Sequence, residues 1–586
     1  MTSALPTPNV NIPGQIGDRV TQALDAIGFD SSGFDPAIRS SDPRFGDFQA
    51  NGLLSLAGRE RMNPRVLAER VAAVIAVDGF AEVTVTGLGY LSFRLTDEFL
   101  VRSSEIAFSD PRLGIPQHSP DVVVVDSSGP NLAKELHVGH LRTTIIGDAL
   151  ARVLEFAGYQ VVQQNHFGDW GTQFGMLIEH FIESGVDASG TKISDLDEFY
   201  REANVRFKGE PGFADRARAR VVLLQSGDEP TRRTWRSFVE ESMRHAHDIY
   251  DRLGIQFSSA DARSESSYND QLPDVVSTLL DMGIAEISQG AVCIFDPEFL
   301  GRDGQPSPLI IQKSDGGYLY GTTDLAAVRY RVDTLKAKRA IYVVDARQAR
   351  HFDMVFAAAK RAGWLGETSF EHAEFGTILG ESGRPFRTRD GEAIPLRALI
   401  DEAEHRALTA IAARGEVSYD LAESKAVAQA VGVGAIKFAD LVNDRVKDYV
   451  FSWERMLQFD GRTGPYIQYS RTRARSIISR AGEGVGSTSF ESDFPNLAEP
   501  ERRLIIALLG LHQAIEGVVT HLQPHKLAGY LFDLAQTFTS FYQECPVLAP
   551  SVPERQRAFR LALVRHYDAV SSRGMCLLGL TPLERM

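Results

Sequence analysis

V-V-V-V-D-S-S-G-P-N-L-A-K-E-L-H-V-G-H-L-R-T-T-I-I-G-D-A-L-A-R-V-L-E-F-A-G (122–158) decides the fold. Val122 to Val125 is a short unbroken β-branched run, as expected of a strand buried on both faces. Gly129 and Pro130 then mark a loop, and residues 141–157 have strong helical character up to Gly158, which is placed to stop a helix. Strand, loop and helix in that order form the first half of a nucleotide-binding α/β unit. A second buried strand is expected from Ile341 to Val344, also followed by an aspartate. The two halves are so far apart that a large insertion must lie between them, and the charged region of about 180–300 fits that role.

His137-Val138-Gly139-His140 sits at the turn from this loop into its helix. Two imidazoles at a helix N-terminus can donate hydrogen bonds to phosphates, and the free N–H groups of the first turn add partial positive charge. Gly139 removes a side chain, so a flat adenine can lie against the backbone. Such donors suit a reaction in which a carboxylate attacks a phosphate and charge accumulates there. Two histidines capping a helix would look the same in isolation; the strand–loop–helix context favours chemistry.

Outward from this core, residues 1–112 suggest a small α+β unit. A helix is predicted from Pro64 to Val77 with Asn63 as its cap, and 83–95 alternates like strands around glycine turns. Residues 109–120 suggest a linker. After the Rossmann-like region (113–400) and a connecting helical stretch (401–455), residues 456–586 are predicted to form a helical bundle. Leu504, Leu508, Leu511, Ile515, Val518 and Leu522 fall on one helical stripe that Pro524 ends, and further helices are expected over 526–543 and 553–570. The architecture is thus multidomain α/β: a Rossmann-like parallel sheet with an insertion, between an N-terminal α+β domain and a C-terminal all-α bundle.

The 586 residues are too many for one core and are 43% hydrophobic and 24% charged, as in ordinary globular proteins. No continuous apolar run of membrane-spanning length and no secretory leader is read, so a cytoplasmic protein with no membrane association is expected. Three scattered cysteines, Cys293, Cys545 and Cys576, speak against disulfides and structural zinc. The net charge of −15 argues weakly against a nucleic-acid partner, but residues 441–480 hold eight Lys or Arg against four acids. A basic face on an acidic protein can still bind phosphates.

Several segments together resemble one family. Residues 126–150 are similar to the signature region of class I aminoacyl-tRNA synthetases, specifically the arginyl-tRNA synthetases. The likeness continues in Q-N-H-F-G-D-W-G-T-Q-F-G (164–175), Y-V-V-D-A-R-Q (342–348), F-A-D-L-V-N-D-R-V-K-D-Y-V-F (438–451), G-P-Y-I-Q-Y-S-R-T-R (464–473) and L-T-P-L-E-R-M (580–586), in the family's order. The resemblance implies ATP-dependent ligation of L-arginine to tRNA-Arg through arginyl-adenylate, with Mg2+ accompanying ATP, no structural metal, a cytoplasmic monomer, and tRNA bound before arginine is activated.

Site residues follow from that resemblance. A planar cation with five donors calls for carboxylates and carbonyl-type acceptors. Asp126, Asn131 and His166 would hold the arginine backbone end, Tyr320 and Asp324 the guanidinium, and Gln348 would close the pocket. Asn131 after Pro130 also suits a turn, and Asp324 after two threonines also suits a helix cap. Trp170, in the glycine-rich 167–175, suits a core position. ATP would meet His137, Gly139, His140 and Lys134, and also Phe386 and Arg387 in G-E-S-G-R-P-F-R-T-R-D-G (380–391). That stretch replaces the usual mobile lysine-rich loop and lacks its lysines, which makes Lys134 the candidate cation alongside His137, His140 and Arg387 in catalysis.

For tRNA, Arg471 and Arg475 would track the backbone, Tyr466 and Tyr542 would stack on unpaired bases, and Met586 lies in the matching terminal segment. Gln49 and Asn51 in F-G-D-F-Q-A-N-G (45–52) would contact the tRNA elbow, or equally cap a helix. Rival readings are a ligase of the same superfamily for another amino acid, such as cysteine, which needs thiolates this chain does not cluster, or a tRNA-binding protein with an inactive catalytic domain. Pyrophosphate exchange with and without tRNA separates them.

Overall fold

The computed structural model describes residues 10–132, 134–185, 193–301, 304–386, 393–414, 419–482 and 496–586. The N-terminal unit contains α1 (Ile12–Ala26), β1 (Ile38–Ser40), β2 (Phe48–Ala50), α2 (Gly52–Arg59), α3 (Pro64–Ala72), β3 (Ala81–Thr86), β4 (Tyr90–Leu95) and α4 (Asp97–Ser109). Its sheet is antiparallel, in the order β1-β2-β4-β3. Asn63 caps α3 by accepting from Arg65 N–H, but the helix stops at Ala72 rather than Val77. From there the chain turns toward β3, leaving Val74 exposed.

The parallel-sheet unit begins with β5 (Val122–Asp126), α5 (Leu141–Ala157) and β6 (Gln160–Gln164). Gly158 ends α5 in the left-handed region at φ 107°, as helix termination by glycine requires. Gly147 lets α5 lie against the end of β5: a Cβ there would fall 2.2 Å from Ser127 Oγ. Then come α6 (Thr172–Ser184), α7 (Ile193–Gly209), α8 (Pro211–Ser226), α9 (Glu229–Leu253), α10 (Leu272–Asp281) and a three-stranded antiparallel sheet of β7 (Ala285–Ser288), β8 (Ala291–Ile294) and β9 (Leu309–Gln312). The main sheet resumes after α11 (Tyr320–Arg329), with β10 (Arg339–Tyr342), α12 (Ala349–Arg361) and β11 (Ser369–His372). β10 starts two residues earlier than the apolar run suggests, and Ile341 pairs with Val125. The sheet order is β11-β10-β5-β6, all parallel. Val123, Val124, Val125 and Ile341 are wholly buried, as a sheet covered on both faces demands.

Next are β12 (Ile378–Leu379), α13 (Leu396–Arg414), α14 (Leu421–Leu441), β13 (Tyr449–Val450) and α15 (Trp453–Met456), with β12 and β13 paired in parallel. The bundle comprises α16 (Gly464–Ala481), α17 (Glu499–Leu509), α18 (Leu511–His521), α19 (His525–Glu544) and α20 (Glu554–Leu577). The single stripe expected across 504–522 is two helices meeting at Gly510. A Cβ there would come within 3.2 Å of the Tyr530 ring, whose hydroxyl donates to the Ala507 carbonyl at 2.9 Å. Residues Glu499–His521 are long and apolar enough to cross a membrane by composition, but more than half of that stretch is buried within the protein. Here it supplies bundle core.

The N-terminal unit is anchored to the bundle by a buried charge cluster. Arg502 is 2% exposed and bonds Asp47, Asp97 at 2.6 Å and the Leu95 carbonyl. Nearby, Ser104 Oγ and His566 Nδ1 lie 3.0 Å apart in the same buried seam.

Candidate functional site

In parallel α/β sheets, ligands meet the carboxyl ends of the strands. Here those ends deliver Asp126 from β5, Asn165 and His166 after β6, and Asp345 after β10. The loop after β5 is held by a polar brace. Ser128 takes φ +70° and Gly129 φ +49°. Ser128 Oγ lies 2.7 Å from Tyr250 OH, Gly129 N–H donates to Asn165 Oδ1 at 2.9 Å, and Asn165 Nδ2 donates to Tyr250 OH at 2.9 Å. Asn131 pairs with Gly168, whose missing side chain leaves room for Asn131 Oδ1. The F-G-D-W-G segment is thereby laid beside the loop. Trp170 is part-buried against the core, edge-on to Trp235.

His137 caps a short 3-10 turn, Val138–His140, that leads into α5. His137 Nδ1 accepts from Gly139 N–H at 3.0 Å, and His140 Nδ1 accepts from His137 N–H at 3.2 Å. Both acceptor roles require the neutral tautomer with the proton on Nε2, leaving one N–H donor on each ring. Burial keeps them neutral: His140 is pushed down to about 3, first by desolvation and then by His137, and His137 is lowered by desolvation and by the Lys134 charge. Gly139 is needed for a reason other than adenine stacking alone, because a Cβ there would meet the His137 ring at 2.8 Å.

Lys134 is exposed, with Nζ 4.8 Å from the ring centre of Tyr200 on α7. The 380–386 segment is a turn in which Gly380 N–H donates to the Arg384 carbonyl. Phe386 is half-buried and stacks on Phe451 at 4.6 Å, so its ring seats the loop base in an apolar seam. Arg387 and Arg389 lie outside the described residues.

The arginine candidates divide into two groups. Asp126 is buried, and its Oδ2 already accepts from Arg331 Nη2 at 2.6 Å; Arg331, itself 1% exposed, also donates to Gln164 Oε1 at 2.7 Å and lies over the Tyr342 ring. Asp126 is therefore half-committed within the protein. Asp324 lies within α11 rather than at its cap, with Oδ2 2.6 Å from His351 Nε2, and the Tyr320 ring stands edge-on to His351 at 4.7 Å. Gln348, exposed, ends the short turn before α12, and His166 stacks near Tyr268 at 5.9 Å.

A residue missed by the sequence reading is Glu265. Its carboxyl is pushed up to about 8, first by desolvation and then by the charges of Asp169 and Asp324. Its N–H donates to the Phe167 carbonyl, and the neighbouring Ser266 donates to both oxygens of the buried Asp169. Glu265 thus lies within reach of the charges of both Asp169 and Asp324. The F-G-D-W-G segment was the available signal, since it contains Asp169.

At the other end, a groove of about 760 Å3 brings Arg475, Tyr542 and Met586 together with Tyr469, Arg473 and Arg480. The Arg473 guanidinium lies 4.9 Å from the Tyr469 ring and 5.6 Å from that of Tyr542. Arg471 is not in this lining: it is buried, pairs with Asp568 at 2.8 Å and donates to the Leu583 carbonyl, fastening the terminal segment. Arg475 also pairs with Glu584 and Asp568. Tyr466 sits against Phe532 with its hydroxyl near Thr539. In the N-terminal unit, Gln49 Nε2 reaches Thr86 and Ser92, while Asn51 stands at the start of α2 without a side-chain cap bond, its buried Oδ1 unpartnered.

Three family models match: the class I tRNA synthetase (R) catalytic domain over residues 104–453, the DALR anticodon binding domain over 467–586, and the arginyl tRNA synthetase N-terminal domain over 14–95. An arginine–tRNA ligase of Frankia casuarinae is 46% identical, covering 98% of each chain, and one of Alteromonas mediterranea is 43% identical over 98% of this chain and all of its own. The arginyl-tRNA synthetase structures of Plasmodium falciparum (TM-score 0.84, 28% identity, 99% of this chain and all of that one) and Thermus thermophilus (0.81, 26%, 98% and all) share the whole architecture.

Proposed function

This chain belongs to the arginyl-tRNA synthetases, the class I family that joins arginine to its tRNA, and from that premise we propose how its residues divide the work. The enzyme uses ATP to charge tRNA-Arg with L-arginine. In the proposed assignment, the arginine side chain lies among Asp324, Glu265 and Tyr320, with Gln348 at the mouth, and its α-amino end meets Asp126, Asn131 and His166. The carrying observation is that α11 sets Asp324 and Tyr320 together against His351, with Glu265 near enough that burial and the charges of Asp169 and Asp324 push its carboxyl up to about 8, a penalty that an entering guanidinium relieves.

The arginine carboxylate attacks the α-phosphate and pyrophosphate leaves; a ribose hydroxyl at the tRNA end then attacks the arginyl carbonyl, and AMP leaves. His137 and His140 act as neutral Nε2–H donors to phosphate oxygens, so they stabilise growing negative charge by hydrogen bonding, without transferring a proton. Lys134 supplies positive charge beside them, together with Arg387. Magnesium is assigned to the ATP phosphates as a hard counter-ion. The groove around Arg473, Arg475, Tyr542 and Met586 takes unpaired tRNA bases, and Asn51 with Gln49 meets the tRNA elbow. We assign residues 1–112, 113–400, 401–455 and 456–586 to the N-terminal, catalytic, connecting and anticodon-reading parts of a cytoplasmic monomer.

Asp324→Asn tests the pocket. Arginine KM should rise about tenfold or more, the scale of a charge-assisted hydrogen bond, with ATP KM unchanged. An unaltered arginine KM removes Asp324 from the pocket.

A further inference from the structure

The histidine turn and the 380–386 turn are distant in sequence, and one buried side chain ties them together. Arg142 lies two residues beyond His140 and is 2% exposed; its Nε sits 3.1 Å from Asp440 Oδ2 on α14. Its Nη1 donates to the Lys447 carbonyl at 3.1 Å, and its guanidinium carbon lies 5.3 Å from the Tyr449 ring. Tyr449–Val450 is β13, the parallel partner of β12, and β12 runs directly into the 380–386 turn.

The seat is close-fitting. Asp448 Oδ1 accepts from Thr377 N–H at 2.6 Å, and a Cβ on Gly376 would fall 2.8 Å from the Lys447 carbonyl carbon. Phe451 N–H donates to the Leu379 carbonyl at 2.8 Å, and Phe386 stacks on Phe451. A shift of Lys447 is therefore a shift of the loop base.

We propose that Arg142 is a positioning residue that sets the 380–386 loop base in register with the histidine turn, so that both segments meet one ATP. The inference rests on the reading that both hold the nucleotide. Arg142 uses two separate nitrogens of one rigid plane, Nε for the Asp440 carboxylate and Nη1 for the Lys447 carbonyl, a spacing that the single ammonium of a lysine does not reproduce. Welding α5 to α14 does not by itself call for Arg142, because a second buried pair already does so: Lys437 Nζ lies 3.6 Å from Asp148 Oδ2 and donates to the Gly579 carbonyl.

The test uses the full-length enzyme with tRNA present. Arg142→Lys keeps a charge for Asp440. Arg142→Met combined with Asp440→Leu removes both charges and leaves an apolar contact that stability tolerates. Both are measured for pyrophosphate-exchange kcat, ATP KM, arginine KM and thermal unfolding, with Phe386→Ala in parallel. The expected result is a loss of about 10²-fold in kcat, the scale of a slight misplacement at a reacting centre. ATP KM should rise severalfold, arginine KM should hold, and the double variant should melt like wild type. Normal ATP kinetics in Arg142→Lys, or in a folded double variant, overturn the proposal; so does an arginine KM that rises in step with that of ATP, which marks general loosening. If Phe386→Ala perturbs ATP kinetics and the Arg142 variants do not, the positioning role alone fails. If Phe386→Ala is also silent, the ATP reading of the loop fails and takes the proposal with it.

Discussion

With Glu265 in the proposed arginine pocket, arginine binding is predicted to be coupled to a proton. The Glu265 carboxyl stays neutral up to about 8, against 4.5 ordinarily, because it is desolvated and faces Asp169 and Asp324. A bound guanidinium favours the ionised carboxylate, and binding to that form is taken as dominant. With a midpoint near 8, roughly one-eleventh of the free enzyme is ionised at pH 7 and about half at pH 8. The apparent Kd for arginine should therefore fall about fivefold across that interval, and roughly 0.9 proton should leave per arginine bound at pH 7. Calorimetric titration in buffers of different ionisation enthalpy measures both, with Glu265→Gln as reference because arginine's own α-amino group titrates identically there. The variant should bind about tenfold or more weakly at pH 8 and lose the pH dependence. Stability moves the other way. A carboxyl raised by folding binds more protons in the native than in the unfolded state between 4.5 and about 8. Its stability contribution is therefore complete below 4.5 and lost as pH rises to 8, on the order of 5 kcal/mol at most. Glu265→Gln should melt above wild type at pH 8 and equal to it at pH 4. A flat Kd, no proton release and an unchanged melting temperature would together refute this placement of Glu265.

Other perturbations address separate parts of the molecule. Lys134→Ala should lower the kcat of arginine activation by about 10²-fold with little change in arginine KM, since the charge it meets develops mainly in the transition state; a near-normal kcat would return that role to Arg387. Tyr542→Ala should weaken tRNA binding by about 1–3 kcal/mol, the range for one base stacked on an aromatic ring, and filter binding that shows no loss would take Tyr542 out of the groove's function. Arg502→Ala leaves Asp47 buried without its partner and should cost roughly 3–5 kcal/mol; proteolysis should then release the N-terminal unit, and resistance equal to wild type would show that its apolar seam suffices.

Local signals carried much of the fold. The β-branched run at Val122, the proline and glycine at its loop and Gly158 at the helix end are all nearest-neighbour effects, and the structure places β5 and α5 within a residue of where they point. The sites were less legible because their partners are remote. Asp126 reads as a free carboxylate until Arg331 is seen beside it. The basic stretch at 470–480 reads as an exposed phosphate track until Asp568 and Glu584 arrive from the far end of the chain to pair with Arg471 and Arg475. Glu265 sits in what reads as an accessory insertion, and only the fold brings it against Asp169 and Asp324. The helical stripe at 504–522 has the right period throughout; its junction at Gly510 falls where Tyr530 OH donates to the Ala507 and Leu508 carbonyls, a tertiary contact that periodicity does not contain.

The pairing of β5 with β10 also sets a timetable for synthesis. Val123 finds one neighbour in Val161 soon after it is made, but its other neighbour, Arg339, emerges about 200 residues later. At about 5–20 residues per second, one edge of the most apolar strand waits on the order of 10–40 s for its partner. Through that interval the nascent chain presents an unpaired, fully hydrophobic strand edge, the feature most prone to mispairing with another chain. Slowing translation between residues 165 and 339 should therefore lower the soluble yield more than an equal delay after residue 372, by which point β11 has been made and the sheet can close.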